Sequence, residues 1–116
     1  MNQQELLSLL DPELRKEAVD LVPYGVREYA FPLHIAQRVL DEIVRSGGIV
    51  LGGDLWIAND DGFFEPGHDN WFVNRVPDEP FGDFAARQAQ AANKFFERQE
   101  DGGRSYATFV LSKEEQ

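Results

Sequence analysis

At 116 residues, with 42% hydrophobic and 12% aromatic content, the chain is expected to form one small domain (1–116) with a core of its own. It has no cysteine, which excludes a disulfide framework and thiolate chemistry. Its 21 acids against 11 Lys and Arg give a net charge of −10, so direct binding to a nucleic-acid backbone, which needs a basic face, is not expected.

The opening "MNQQELLSLLDPE" has no basic region, and its apolar run is too short for a signal peptide. No stretch approaches the length of a membrane span, so a cytoplasmic protein with no membrane partner is expected. Residues 3–10 read as a short apolar helix. Asp11-Pro12 then reads as an N-cap followed by proline at the first helical position, with a second helix running to about Leu21. "YGVREYAF" (24–31) reads as a weak strand. Pro32 opens a stronger helix, in which Leu33, Ala36, Val39, Leu40, Ile43 and Val44 recur at helical spacing; Gly47-Gly48 stops it.

A hairpin follows. Residues 49–58 and 63–75 are rich in β-branched and aromatic residues, and "NDDG" between them is strong turn chemistry. A helix from about Asp78 to Gln99 carries Phe81, Phe84, Ala85, Ala89, Ala92, Phe95 and Phe96 on one stripe. "EDGG" ends it, and "RSYATFVLS" (104–112) is a final strand. After the N-terminal helices the order is β-α-β-β-α-β. The expected fold is therefore α+β: an antiparallel-rich sheet of three to four strands, ferredoxin-like, with helices on one face.

"VLGGDLW" (50–56) is the odd stretch, because glycine weakens a strand interior and an aspartate sits badly in a core. Alternation puts Ile49, Leu51, Gly53, Leu55 and Ile57 on one face, toward the helices. Val50, Gly52, Asp54, Trp56 and Ala58 take the other. A turn of two or four residues would set Phe64 and Phe72 with the first group. It would set Glu65, Asp69 and Trp71 with Asp54 and Trp56. A one-residue bulge at Pro66-Gly67 would instead bring His68 and Asn70 to Asp54. Two tryptophans among carboxylates would then lie either under the N-terminal helices or on an open partner-binding face. Gly52 and Gly53 read as shape residues that admit a close ring, Trp71 or Tyr106. Asp54 reads as a hydrogen-bond anchor.

The candidate chemistry is thin. Asp54, Glu65, His68 and Asp69 have oxygen and nitrogen donors, but their spacing matches no metal site, so neither metal nor cofactor is expected. Asp54 and Asp69 could form an acid–base pair, yet no convergent serine, lysine or arginine is expected nearby. His34 has no serine at a telling spacing. A phosphate cradle is excluded because Gly52-Gly53 leads into an aspartate and a strand. From Asp54 to Asp83 eight acids face a single base, Arg75. That stretch would draw a basic protein partner, while composition alone favours plain solubility as its role. The partner-binding candidates are Asp54, Trp56, Asp60, Asp61, Glu65, His68, Asp69 and Trp71, with Gly52, Gly53 and Asn70 as structural supports.

Several stretches in order carry a resemblance: "GVREYAF" before a helix, "VLGGDLW", "DGFFEPGHDNWF", and "PFGDFAARQ" on the last helix. From Gly25 to the C-terminus the chain resembles the immunity protein 40 family of bacterial polymorphic toxin systems. The matching positions are Gly25, Val26, Tyr29, Ala30, Gly52, Gly53, Asp54, Asp69, Asn70, Trp71 and Phe72. The chain departs from the family pattern in opening its helix with Phe31-Pro32 and in a longer acidic hairpin. The resemblance implies a non-enzymatic protein that binds and blocks a cognate toxin made beside it; immunity partners of nucleases are often acidic. The competing readings are a small acidic hydrolase using Asp54 and Asp69, or a structural or adaptor domain.

Overall fold

The first helix, α1 (Gln3–Leu9), begins in a capping box. Asn2 Oδ1 accepts from the Glu5 N–H at 2.8 Å, and Glu5 Oε1 accepts from the Asn2 N–H at 3.1 Å. Asp11 caps α2 (Pro12–Arg15) as the sequence suggests, accepting from the Leu14 N–H. The second helix does not reach Leu21. Arg15 turns back onto the carbonyls of Leu7, Ser8 and Leu10, and the chain leaves the helix. Val19–Asp20 becomes a short strand, β1, and Val22–Tyr24 a single 3₁₀ turn ending in left-handed Gly25. A β-branched Val19 paired to Ala30, and an Asp20 carboxylate accepting from the Val22 N–H, favour this over helix. The computed structural model describes residues 1–99 and 103–115, the last two as backbone only.

Strand β2 is Tyr29–Pro32, only the end of the stretch read as a strand, and α3 runs Leu33–Arg45. Gly47, in the left-handed region at φ 86°, ends α3. β3 (Gly48–Ala58) and β4 (Phe64–Phe72) form the hairpin, and α4 spans Phe81–Glu97. Of the "EDGG" stretch expected to end α4, residues 100–102 lie outside the described residues. The final strand is two, β5 (Ser105–Thr108) and β6 (Val110–Glu115), interrupted at buried Phe109.

The sheet has six strands in the order β1-β2-β5-β3-β4, with β6 also on β3, and the paired strands run antiparallel. Thus β2 and β3 run parallel with β5 between them, and β4 and β5 run parallel with β3 between them. Two split β-α-β units interlock. The order along the chain is the expected one, but the ferredoxin-like arrangement is not formed. There the first and third strands of the β-α-β-β-α-β series would be central; here β3 and β5 are.

Both long helices pack on one face. Beneath them Phe31, Val39, Leu40, Ile43, Leu55, Trp71, Phe84, Phe95 and Phe109 are buried in one cluster. Leu6, Leu10 and Leu14 join the same cluster, so the N-terminal helices lie on the helix side and do not cover the far face. A second, smaller cluster sits on that far face, where Leu21, Tyr24 and Val26 lie over Ala30, Trp56, Phe64 and Tyr106.

The hairpin corrects the predicted register. Its loop is residues 59–63, closed by the Asn59 N–H donating to the Phe63 carbonyl at 2.8 Å. An odd loop inverts the expected pairing of faces: Gly53 pairs with Trp71, Asp54 with Asn70, and Trp56 with Pro66. Opposite Leu55 the other strand carries Gly67, His68 and Asp69, an irregularity of two extra residues that leaves the alternation intact on both sides. Trp56 and Trp71 therefore lie on opposite faces. Phe72, expected inward, points outward and is 71% exposed.

Candidate functional site

The adjacent glycines sit where no side chain fits. A Cβ on Gly53 would run into the Thr108 carbonyl oxygen and the six-membered ring of Trp71, and one on Gly52 would run into the Trp71 carbonyl. The Trp71 indole thus lies over Gly53. Its ring centroid is 4.7 Å from Phe95, 5.7 Å from Phe96 and 5.9 Å from Phe109. Trp71 is only 5% exposed, so it is a core residue and not a surface contact. Trp56 is equally buried, in edge-on contact with Tyr24 at 6.3 Å.

Of the predicted partner-binding residues, the hairpin end carries Asp60, Asp61, Glu65 and His68, all exposed. Asp60 pairs with Arg104, and the Asp61 carboxylate accepts from the Phe63 N–H at 3.1 Å. Asp69 is engaged elsewhere. Arg98, just past α4, donates to both its oxygens at 2.7 Å and to the Asn70 carbonyl at 2.8 Å; Gln99 donates to it at 2.6 Å. The Arg98 guanidinium, with Gln99 and the Asn70 N–H, holds the Asp69 carboxyl well below the usual carboxylate range. This pins β4, an edge strand, to the end of α4 and occupies an edge carbonyl that would otherwise be free to pair.

Asp54 is separate from this group. It lies on the far face, exposed, with its backbone N–H donating to Thr108 Oγ1 at 3.1 Å. Asp69 is turned to the end of α4 and locked there, so the two carboxylates are not gathered into an acid–base pair. The expectation that no arginine converges on Asp69 is overturned: Arg98 reaches it from 29 residues away. Among the described residues no group of three or more His, Cys, Asp or Glu is arranged to hold a metal ion.

The Asp54 charge does act on Glu28, which the sequence did not single out. Burial first, and then the Asp54 charge, push the Glu28 carboxyl above its ordinary value. Among the described residues neither carboxylate forms an ion pair. Glu28 lines a shallow groove of about 250 Å³ together with Val110, Arg27 and Lys113. The acidic stretch is otherwise partly neutralised. Asp60, Asp69 and Glu79 pair with Arg104, Arg98 and Arg87, all from beyond the stretch.

The model of the family described as Immunity protein 40 matches residues 20–111. The chain belongs to that family. The match starts within β1 and ends in β6, so it takes in the β-α-β-β-α-β unit, the paired glycines and the far sheet face. No curated protein and no solved structure matches the chain. The family implies an immunity role and a toxin partner. No helix among the described residues is long and apolar enough to cross a membrane.

Proposed function

We propose that the chain neutralises a cognate bacterial toxin by binding it one to one, without turnover of its own, in the cytoplasm of the cell that makes the toxin. The observation that carries this reading is membership of the Immunity protein 40 family across residues 20–111. Two features of the molecule suit it. Asp54, Asp61, Glu65, Asp78 and Asp83 remain exposed without an arginine partner among the described residues, which favours a basic toxin. Asp69 is held by Arg98 and Gln99, which removes one half of the acid–base pair a hydrolase would need. The partner contacts would come from the exposed candidates Asp54, Asp60, Asp61, Glu65 and His68, with Trp56 and Trp71 supporting them from the core.

The test is co-expression with the toxin domain encoded beside this chain's gene. The parent chain should restore growth and co-purify with the toxin at a one-to-one ratio. Rescue at sub-stoichiometric levels, or a modified toxin after brief contact, would point to an enzyme and overturn the proposal.

A further inference from the structure

The far face of the sheet is covered in only one half. Leu21, Tyr24 and Val26 close over Trp56, Phe64 and Tyr106. Beyond Trp56 that cover does not continue among the described residues. There β3 presents Asp54, flanked by Asn70 of β4 and the Thr108 hydroxyl of β5. One step further Gly52 separates Phe72 on one side from Val110 on the other. Phe72 is 71% exposed and Val110 38%. Side by side across Gly52, which has no side chain to screen them, the two make a contiguous apolar patch. The surface around it is not neutral either: the exposed Asp54 acts electrostatically on Glu28, and neither carboxylate is in an ion pair among the described residues, with Arg27 and Lys113 on the groove beside Glu28.

These two features ask for the same partner. An aromatic face beside two unpaired carboxylates is complementary to a long cationic side chain, whose stem is apolar and whose head is charged. The spacing suits it: positions two apart on a strand are separated by about 7 Å, within reach of an extended arginine. A guanidinium also forks to two oxygens, as carboxylates require.

We propose that the uncovered half of the far sheet face, bounded by Phe72, Val110, Asp54 and Glu28, is the surface that receives the toxin, and that its anchor is an arginine or lysine side chain of the toxin laid against Phe72 with its charge between the two carboxylates. This rests on the toxin-binding reading above. It moves the centre of the interface from the acidic end of the hairpin to the sheet face behind it. The hairpin acids then contribute long-range attraction, whereas Phe72 and Asp54 contribute the contact. Glu28, already short of water and repelled by Asp54, gains most from an arriving cation.

The experiment is a titration of the full chain with the toxin domain encoded beside its gene, in parent form and in four variants. Phe72→Ala and Asp54→Arg test the proposed surface; Asp61→Lys and Glu65→Lys test the hairpin end. The four residues are exposed, and melting curves matching the parent verify that each variant is folded; Asp54→Asn replaces Asp54→Arg if the charge reversal disturbs folding. Phe72→Ala should weaken binding at least about thirtyfold and Asp54→Arg by more, while the hairpin variants stay within about tenfold of the parent. Parent and both sheet-face variants binding alike would overturn the proposal and leave the toxin-binding reading standing, as would loss confined to Asp61→Lys and Glu65→Lys. A parent chain that does not bind the toxin would overturn the functional reading and this one with it.

Discussion

Adding one methyl group at Gly53 should be among the most damaging changes the chain can suffer. A Cβ there would collide with the Thr108 carbonyl oxygen and the Trp71 ring. Neither neighbour has room to retreat. Thr108 belongs to β5, which pairs with β2 on one side and β3 on the other. The Trp71 indole is wedged against Phe95, Phe96 and Phe109. Overpacking in a core ordinarily costs about 1–3 kcal/mol. Here relief requires expelling a tryptophan, whose loss of packing costs about 3–5 kcal/mol. Gly53→Ala is therefore expected to cost at least about 3 kcal/mol, a large part of the roughly 5–15 kcal/mol that holds a domain together. Gly82 is the matched control. It lies in the first turn of α4 with no atom in reach of an added Cβ, so Gly82→Ala should stabilise by about 0.4–1 kcal/mol. Urea unfolding followed by tryptophan fluorescence reads both, as a shift of midpoint at constant slope. A Gly53→Ala protein within about 0.5 kcal/mol of the parent would refute the claim that the ring and the strand are fixed there.

Trp56→Ala should lower stability by about 3–5 kcal/mol, because the indole is covered by the turn over the far face; a melting curve unchanged from the parent would contradict that packing. Gln3 ties β2 to the junction of β5 and β6, donating to the Phe109 carbonyl at 2.8 Å and accepting from the Tyr29 N–H at 3.1 Å. Gln3→Leu should cost about 1–3 kcal/mol by chemical denaturation, since it strands both backbone groups. Glu28 has its native pKa raised from 4.5, so its ionisation opposes folding: the penalty is absent below pH 4.5 and grows as pH rises through the native value. Glu28→Gln should therefore unfold at higher temperature than the parent at pH 7, and the gap should close at pH 4; a gap that widens on acidification would reverse the sign. Association with the toxin should slow as salt rises, with dissociation changing less, and a flat on-rate in stopped flow would count against charge steering.

The elements that were legible in the sequence are those with local signals. The 3.6-residue spacing of α3 and α4 and the turn chemistry of residues 59–62 each lie within one short window. The end of α2 was not legible, because the chain leaves the helix to pair Val19 with Ala30, a partner outside any local window. The side on which each hairpin residue falls depended on whether the loop held an odd or even number of residues. A single residue in 59–63 moved Trp71 from beside Asp54 to the core, and Phe72 from the core to the surface. Strand order was beyond local reading, since β5 inserts beside β3 from about fifty residues away and no nearby pattern announces it. The same holds for the candidate site. Glu28 comes under the influence of Asp54, and Arg98 bonds Asp69, only after the sheet has formed.

Strand β3 divides two jobs between adjacent residues. Gly53 faces inward and carries the Trp71 ring; Asp54 faces outward and carries an unpaired charge. Because alternation forces neighbours to opposite faces, the inward set can be constrained by packing while the outward set varies with the partner. The far face repeats the division along its length: the Trp56 end is sealed by residues of the same chain, and the Phe72 end is not. Changes at Phe72, Asp54 or Val110 touch few buried neighbours and leave the fold its stability, whereas changes at Gly53, Trp71 or Trp56 act on folding first. Loss of binding at constant stability can therefore be read only from the outward positions. A binding defect at Trp56 or Trp71 is evidence about the interface only after the melting temperature has been shown to hold.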